Sequence, residues 1–351
     1  MEHPFEYKQI DSEVYDTELK DFLPSKIIDI HTHIWLSRHR EDSQRSDRLV
    51  TWPSLVAPEN PVEDHLECYK QLFPDKEVTP MVFTTIVTPD NCTINNNYIS
   101  ESAEKYNLPA LYFSYPEMPA EVLEQNIIKG DFLGIKVYLS LSPSYIPDDE
   151  IRIYDFLPPH QLELMNRHGW IVMLHIPRST RLKDPVNLAQ MVEIEERYPD
   201  LKLIIAHVGR AYCPEDIGDA FDVLSNTKRM YFDFSANTNA FVFEKLINAV
   251  GPGRILFGSD LPILRMRMKR ICVKGKYINV VPKGMYGDVS YDSNMKEVNS
   301  PEADELTFFM YEELRAFKKA SLKCGLGKSE IEDIFYNNSK KIINSIKPII
   351  K

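Results

Sequence analysis

The chain has 351 residues, 43% of them hydrophobic, which supplies a large core and excludes intrinsic disorder. With 41 basic and 52 acidic side chains its formal charge is −11, which argues against a nucleic-acid groove or an anionic membrane as partner. A small anionic substrate stays open, because a basic pocket can sit in an acidic protein.

No stretch approaches the roughly eighteen apolar residues of a transmembrane helix. The N-terminal MEHPFEYKQIDSE is polar and acidic, without the basic-then-apolar pattern of a signal peptide. The cysteines Cys68, Cys92, Cys213, Cys272 and Cys324 are odd in number, scattered and without a CxxC. That pattern reads as reduced thiols in a cytoplasmic protein.

Residues 1–25 read as an N-terminal extension to a single domain over 26–351. Short apolar, β-branched runs then recur: KIIDIH (26–31), MVFTTIV (81–87), ALYFSY (110–115) and LGIKVYL (133–139). WIVMLH (170–175), KLIIAH (202–207), MYFDF (230–234) and RILFG (254–258) complete the series. Between them, 62–73, 94–106, 120–129, 148–167, 184–198, 215–225 and 240–250 carry apolar residues at helical spacing. Eight near-continuous hydrophobic strands alternating with helices predict an α/β fold, a (β/α)8 TIM barrel with parallel strands buried on both faces. A doubly wound open sheet is the competing architecture, but no GxGxxG or GxxxxGK[ST] loop follows any strand. Residues 261–301 form an insertion after the last strand, with a hairpin expected around Lys274–Lys276. Two helices, near 302–323 and 329–346, close the chain.

Chemistry gathers at the strand ends. In Asp29-Ile30-His31-Thr32-His33 the two-residue period of a strand turns His31 and His33 to one face, where two imidazoles can share a divalent metal. An HxH alone is a weak signal. His175 ends the fifth run, His207 the sixth, and Asp260 follows the eighth in FGSDLP. A single histidine of this kind is more often a satisfied core residue; five ionisable groups converging on the C-terminal mouth of a barrel are not.

In that order, IIDIHTHIW, LGIKVY, VMLHIP, LIIAHVGR and ILFGSDLP resemble the amidohydrolase superfamily. They resemble most its amidohydrolase-related, aminocarboxymuconate-semialdehyde decarboxylase-like branch of decarboxylases, lactonases and hydrolases. EDIFYNNSKKII resembles the closing signature of that branch around Asn338, with Ser339 where the family has alanine; the insertion after Asp260 is a second departure. The resemblance spans residues 26–346 and implies a metal-dependent hydrolase, or alternatively a non-oxidative decarboxylase of an unsaturated or aromatic acid. It implies that His31, His33, His175 and Asp260 ligate one divalent ion, with Zn²⁺ expected, leaving a position for water. His207 becomes the acid/base beside the metal, and Asp260 also accepts the water proton. A homodimer is expected on family analogy alone.

Lys136 has three readings: a carboxylated metal bridge as in other branches, a substrate-carboxylate or supporting contact, or a structural ion pair. Tyr138 shares its strand face. Arg178, Arg181 and Arg210 follow the catalytic strands and suit a carboxylated substrate, since guanidinium grips carboxylates bidentately; Arg210 leads. Trp35 either walls the mouth or packs its loop. Asp29 is expected in a core network, and His3, His39, His65, His160 and His168 in structural or surface roles. The basic run Arg265, Arg267, Lys269 and Arg270 is expected to be a solvated or interface patch.

Overall fold

The computed structural model describes residues 5–39 and 56–346; His3 lies outside the described residues. Eight short parallel strands overlap the apolar runs: β1 (Lys26–His33), β2 (Glu77–Phe83, beginning four residues ahead of the run at 81–87), β3 (Tyr112–Phe113) and β4 (Gly134–Val137). The others are β5 (Ile171–Leu174), β6 (Lys202–Ile205), β7 (Tyr231–Asp233) and β8 (Ile255–Leu256). Strands β3 to β8 form one six-stranded parallel sheet in chain order, and β1 pairs with β2 in a second. The register between β4 and β5 runs from Gly134 opposite Ile171 to Val137 opposite Leu174, with every one of these residues buried.

The expected ladder of eight is thus broken into two parallel sheets. The physical reasons are the two-residue lengths of β3 and β8 and an irregular register in β1 between Asp29 and Thr32. Isolated bridges span both gaps, Val82 to Ala110 and Thr32 to Leu261.

Several helices are shorter than the periodicity predicts. The expected helix over 148–167 resolves into single turns at Asp148–Glu150 and Ile153–Asp155 and a helix at Pro159–His168. Pro158 and Pro159 explain the restart, because proline suits a first helical turn and disfavours helix in the residue before it. The stretch 215–225 likewise divides at Gly218, whose φ is +48°. No helix among the described residues is long and apolar enough to cross a membrane.

The insertion holds the expected hairpin, β9 (Lys269–Val273) against β10 (Lys276–Pro282), with β11 (Met295–Val298) parallel to β10. Its basic run is not a solvated patch. Arg265 and Arg267 are buried, Arg270 stacks on the rings of Tyr212, Tyr277 and Phe309, and Lys269 pairs with Glu302. Nor are all five cysteines reduced: Cys213 and Cys272 form a disulfide, while Cys68, Cys92 and Cys324 are free.

The N-terminal extension packs Val14, Tyr15, Leu19 and Leu23 into the same hydrophobic core as the strands. Its polar anchor is Asp11. Arg267 donates to both Asp11 carboxylate oxygens, at 3.0 and 2.7 Å, and Thr307 Oγ1 donates to one of them at 2.6 Å. Asp11→Ala leaves the guanidinium unpaired in the core, so stability should fall by about 3–5 kcal/mol. Urea unfolding reads this as a lower midpoint at constant slope, and an unmoved midpoint would show that the pair does not hold the extension in place.

Candidate metal centre

Three of the five strand-end groups, His31, His207 and Asp260, form a close set, with His33 against Asp260 and His175 beside His207. His31 Nδ1 lies 2.9 Å from Asp233 Oδ2, so its N–H donates there and its Nε2 lone pair faces inward. His31 Nε2 is 3.6 Å from Asp260 Oδ1, and His33 Nε2 is 3.0 Å from the same oxygen. His33 in turn donates from Nδ1 to the Thr84 carbonyl, 3.1 Å, and His207 from Nδ1 to the Ser235 carbonyl, 3.1 Å. All three rings are therefore tied back at Nδ1, which leaves Nε2 as the free ligand atom. One ligand-type atom from each of His31, His207 and Asp260 lies within 4.8 Å of the others.

His175 stands beside this trio. Its ring centroid is 5.2 Å from that of His207, and its Nδ1 is buried without a hydrogen-bond partner among the described residues. The compact trio thus includes His207, which the sequence reading set outside the ligands, while His33 joins through Asp260 and His175 through His207.

Burial dominates the electrostatics. It pushes His31 down to about 3, reinforced by the Lys136 charge, and takes His175 well below the ordinary imidazole value. It lowers His207 as well, although Asp260 and Asp233 pull in the other direction. All three rings are neutral near pH 7, the form that coordinates a metal. Burial would raise Asp260, but the His33 hydrogen bond and the neighbouring His207 and His31 outweigh it and hold the carboxylate ionised. Asp233 is held ionised in the same way, chiefly by His31.

Lys136 is fully buried, with Nζ 3.4 Å from His31 Nε2 and over the rings of Phe83 and Tyr138. Burial brings its ammonium down to about 8, against the pull of Asp233 and Asp260. The Tyr138 hydroxyl is 3.4 Å from His33 Nδ1. Asp29 takes its expected place in a core network, accepting from the His31 and Ser259 amides and the Tyr69 hydroxyl. That network joins β1 to the turn that carries Asp260.

The loops are held in an uncommon backbone. His207, Val208, Gly209 and Arg210 all have φ between 51° and 60°, and Asp260 has φ 57°. Left-handed conformation in non-glycine residues costs roughly 1–2 kcal/mol each, and such strain collects at functional sites. Gly258 is required for a different reason: a Cβ there would lie 2.9 Å from His31 Cβ.

The arginines are tied to loops. Arg210 Nη1 donates to the carbonyls of Ile176, Pro177 and Arg178 at 3.2–3.4 Å. Arg178 donates to the carbonyls of Ile151 and Glu150 and lies 3.8 Å from Asp184, and Arg181 pairs with Asp216 at 2.7 Å. Trp35 is buried, its Nε1–H donating to the Pro58 carbonyl at 3.2 Å, so it packs its loop.

Sequence reasoning missed Asp233, which holds His31 and also accepts from the His207 amide at 2.9 Å. The signal was available, since Asp233 ends an apolar strand run as the chosen residues do. Ser235, 2.9 Å from His207 Nδ1, carried no such signal.

This order of strand-end ligand types on an α/β frame coincides with a family match: residues 28–344 fit the amidohydrolase model, and the chain belongs to that family. No curated relative matches the sequence. Among solved structures, 2,6-dihydroxybenzoate decarboxylase in complex with 2,6-dihydroxybenzoate is 11% identical over 92% of this chain and 100% of its own, with a TM-score of 0.57. A dihydroxybenzoic acid decarboxylase from a Polaromonas species, with bound manganese and the inhibitor 2-nitroresorcinol, is 13% identical over 92% and 97%, TM-score 0.55. A probable 2-pyrone-4,6-dicarboxylic acid hydrolase from Acinetobacter baumannii, with citric acid bound, is 15% identical over 91% and 99%, TM-score 0.55. At these identities the likeness is one of fold.

Proposed function

We propose that the chain is a metal-dependent hydrolase of a small, carboxylated ester, lactone or amide, built on a ring of eight strands closed by the Val82–Ala110 and Thr32–Leu261 bridges. The observation that carries the reading is the set of imidazoles tied back at Nδ1 around an ionised Asp260. His31 and His33 turn Nε2 toward one carboxylate oxygen, at 3.6 and 3.0 Å, and a cation shared among the three suits that arrangement. The residues present fit one divalent ion, held by His31, His33, His175 and Asp260, with Zn²⁺ the expected choice; the unpartnered Nδ1 of His175 supports its place in the set.

A divalent ion there supplies Lewis acidity to a substrate oxygen and a bound water with pKa near ~7. The protein does the rest. His207, neutral and hydrogen-bonded to Ser235, takes or delivers the proton, and Asp260 accepts a proton from the attacking water. Asp233 fixes the tautomer of His31. Lys136, Tyr138, Arg178 and Arg210 face or frame the mouth and suit an anionic substrate; Trp35 braces the wall.

Loss of carbon dioxide from an unsaturated or aromatic acid is the second reading, favoured by the two dihydroxybenzoate decarboxylases of like fold. In that reaction His207 would protonate the carbon that loses the carboxylate. Assaying proton release against carbon dioxide release over a panel of lactones and hydroxybenzoates separates them. Proton release from a lactone without carbon dioxide is expected, and carbon dioxide alone would overturn the hydrolase assignment.

If Arg210 also grips a substrate carboxylate, Arg210→Met should lower kcat/KM at least about tenfold, the worth of a charge-assisted hydrogen bond of roughly 1.5–3 kcal/mol. An unchanged kcat/KM would leave Arg210 as a clamp on the 176–178 loop only.

A further inference from the structure

We propose that the Cys213–Cys272 bond is a reversible redox tether for the insertion, opened by a small anionic thiol that docks in the groove beside it. Nothing in this inference rests on the catalytic reading.

The tether joins two segments that frame the site. Cys213 lies six residues past His207, in a loop whose Tyr212 and Cys213 amides both donate to Asp216. Cys272 lies on β9, two residues past Arg270. Arg270 stacks between Tyr212 of that loop and Tyr277 of β10, at 4.6 and 4.7 Å, and donates to the Ala236 carbonyl. Ala236 adjoins Ser235, which touches the His207 ring. The disulfide therefore fixes the hairpin to the loops that hold His207, across 59 residues of chain. Its Cα–Cα distance of 5.8 Å is ordinary for a disulfide.

Access is one-sided. Cys213 is buried, whereas Cys272 is exposed in the wall of a groove of about 970 Å³, which is ample for a tripeptide-sized ligand. The same groove is lined by Arg270, Arg315, Lys318 and Lys319 against the carboxylates of Glu18 and Glu312. On a chain with a net charge of −11, this local excess of cations favours an anionic ligand and the thiolate form that attacks disulfides.

The exchange balances. A thiolate in the groove bonds to Cys272 Sγ, the protein disulfide breaks, and Cys213 leaves as a thiolate that takes a proton from water. A second thiolate attacks the ligand sulfur of the mixed disulfide and releases Cys272 as a thiolate, which likewise takes a proton from water. Two small thiols are oxidised to their disulfide as the protein pair is reduced, and the small disulfide drives the reverse.

Thiol counting tests the proposal with glutathione as the anionic thiol and cysteamine, whose ammonium offsets the charge of its attacking thiolate, as the one without net charge. After denaturing alkylation, three labelled cysteines are expected from air-equilibrated protein and all five from protein reduced under native conditions. Five in both states would overturn the tether. Lys319→Glu should slow opening by glutathione at least about threefold at low salt and leave the cysteamine rate nearly unchanged, because the attacking form of cysteamine, a thiolate with an ammonium, has no net charge. Equal effects on the two thiols would overturn the docking groove. Cys272→Ser should speed amide hydrogen exchange across 269–282 at least about tenfold, and unchanged exchange would show that the bond restrains nothing.

Discussion

His31→Ala and His175→Ala are each expected to lose the bound metal and with it essentially all turnover, while the chain stays folded. A metal held there would join strand ends that the core has already brought together, so its loss should leave the packing of Ile30, Ile171, Ile205 and Phe232 intact. Removing the His31 ring frees Asp233 Oδ2 but leaves the carboxylate anchored through Oδ1, to which the His207 and Ser235 amides still donate at 2.9 and 3.2 Å. His175 gives up no hydrogen bond at Nδ1 at all. Metal analysis together with circular dichroism checks both halves of the expectation. Full metal content in either variant removes that residue from the ligand set.

His207→Asn separates proton transfer from ligation. The amide can still donate to the Ser235 carbonyl, so the left-handed loop at 207–210 keeps its anchor. With His31, His33, His175 and Asp260 intact, about one equivalent of metal should remain. Turnover should fall by about 10²–10⁴, the usual worth of a positioned acid or base. The pH profile supplies the signature. Burial holds the His207 pKa below the ordinary imidazole value, so the ring is the base above that pKa and is lost to protonation as the pH falls through it. Wild-type activity should therefore decline on the acid side, and the variant should lack that limb. The close spacing of His207 to His31 and Asp260 gives the experiment its other outcome: loss of about one metal equivalent would make His207 a ligand.

What the sequence disclosed depended on range. His31 and His33 were legible because a strand alternates its side chains, and His175, His207 and Asp260 because an ionisable residue ending a buried strand has few structural uses. The same rule applied to MYFDF would have found Asp233, whose role as anchor for His31 makes it as much a part of the site as the ligands. Long-range pairing was not legible. Arg267 reads as a surface cation until Asp11, 256 residues away, is seen to bury it. Cys213 and Cys272 read as unrelated thiols because a contact between the loop after β6 and the insertion leaves no local pattern. Arg178 and Arg181 follow His175 closely in sequence, but the fold gives them Asp184 and Asp216 as partners. Helix lengths failed where proline or a positive-φ glycine interrupted an apolar period, at Pro158–Pro159 and at Gly218.

The central claim, one ion per chain at the convergence of β1, β5 and the turn after β8, is tested most directly by counting metal in the wild-type protein. The chain is purified without chelator, dialysed against metal-free buffer and measured by plasma emission against protein concentration. About one equivalent of divalent metal per chain is expected, falling to none in His31→Ala. Two equivalents, or none in an active preparation, would contradict the account.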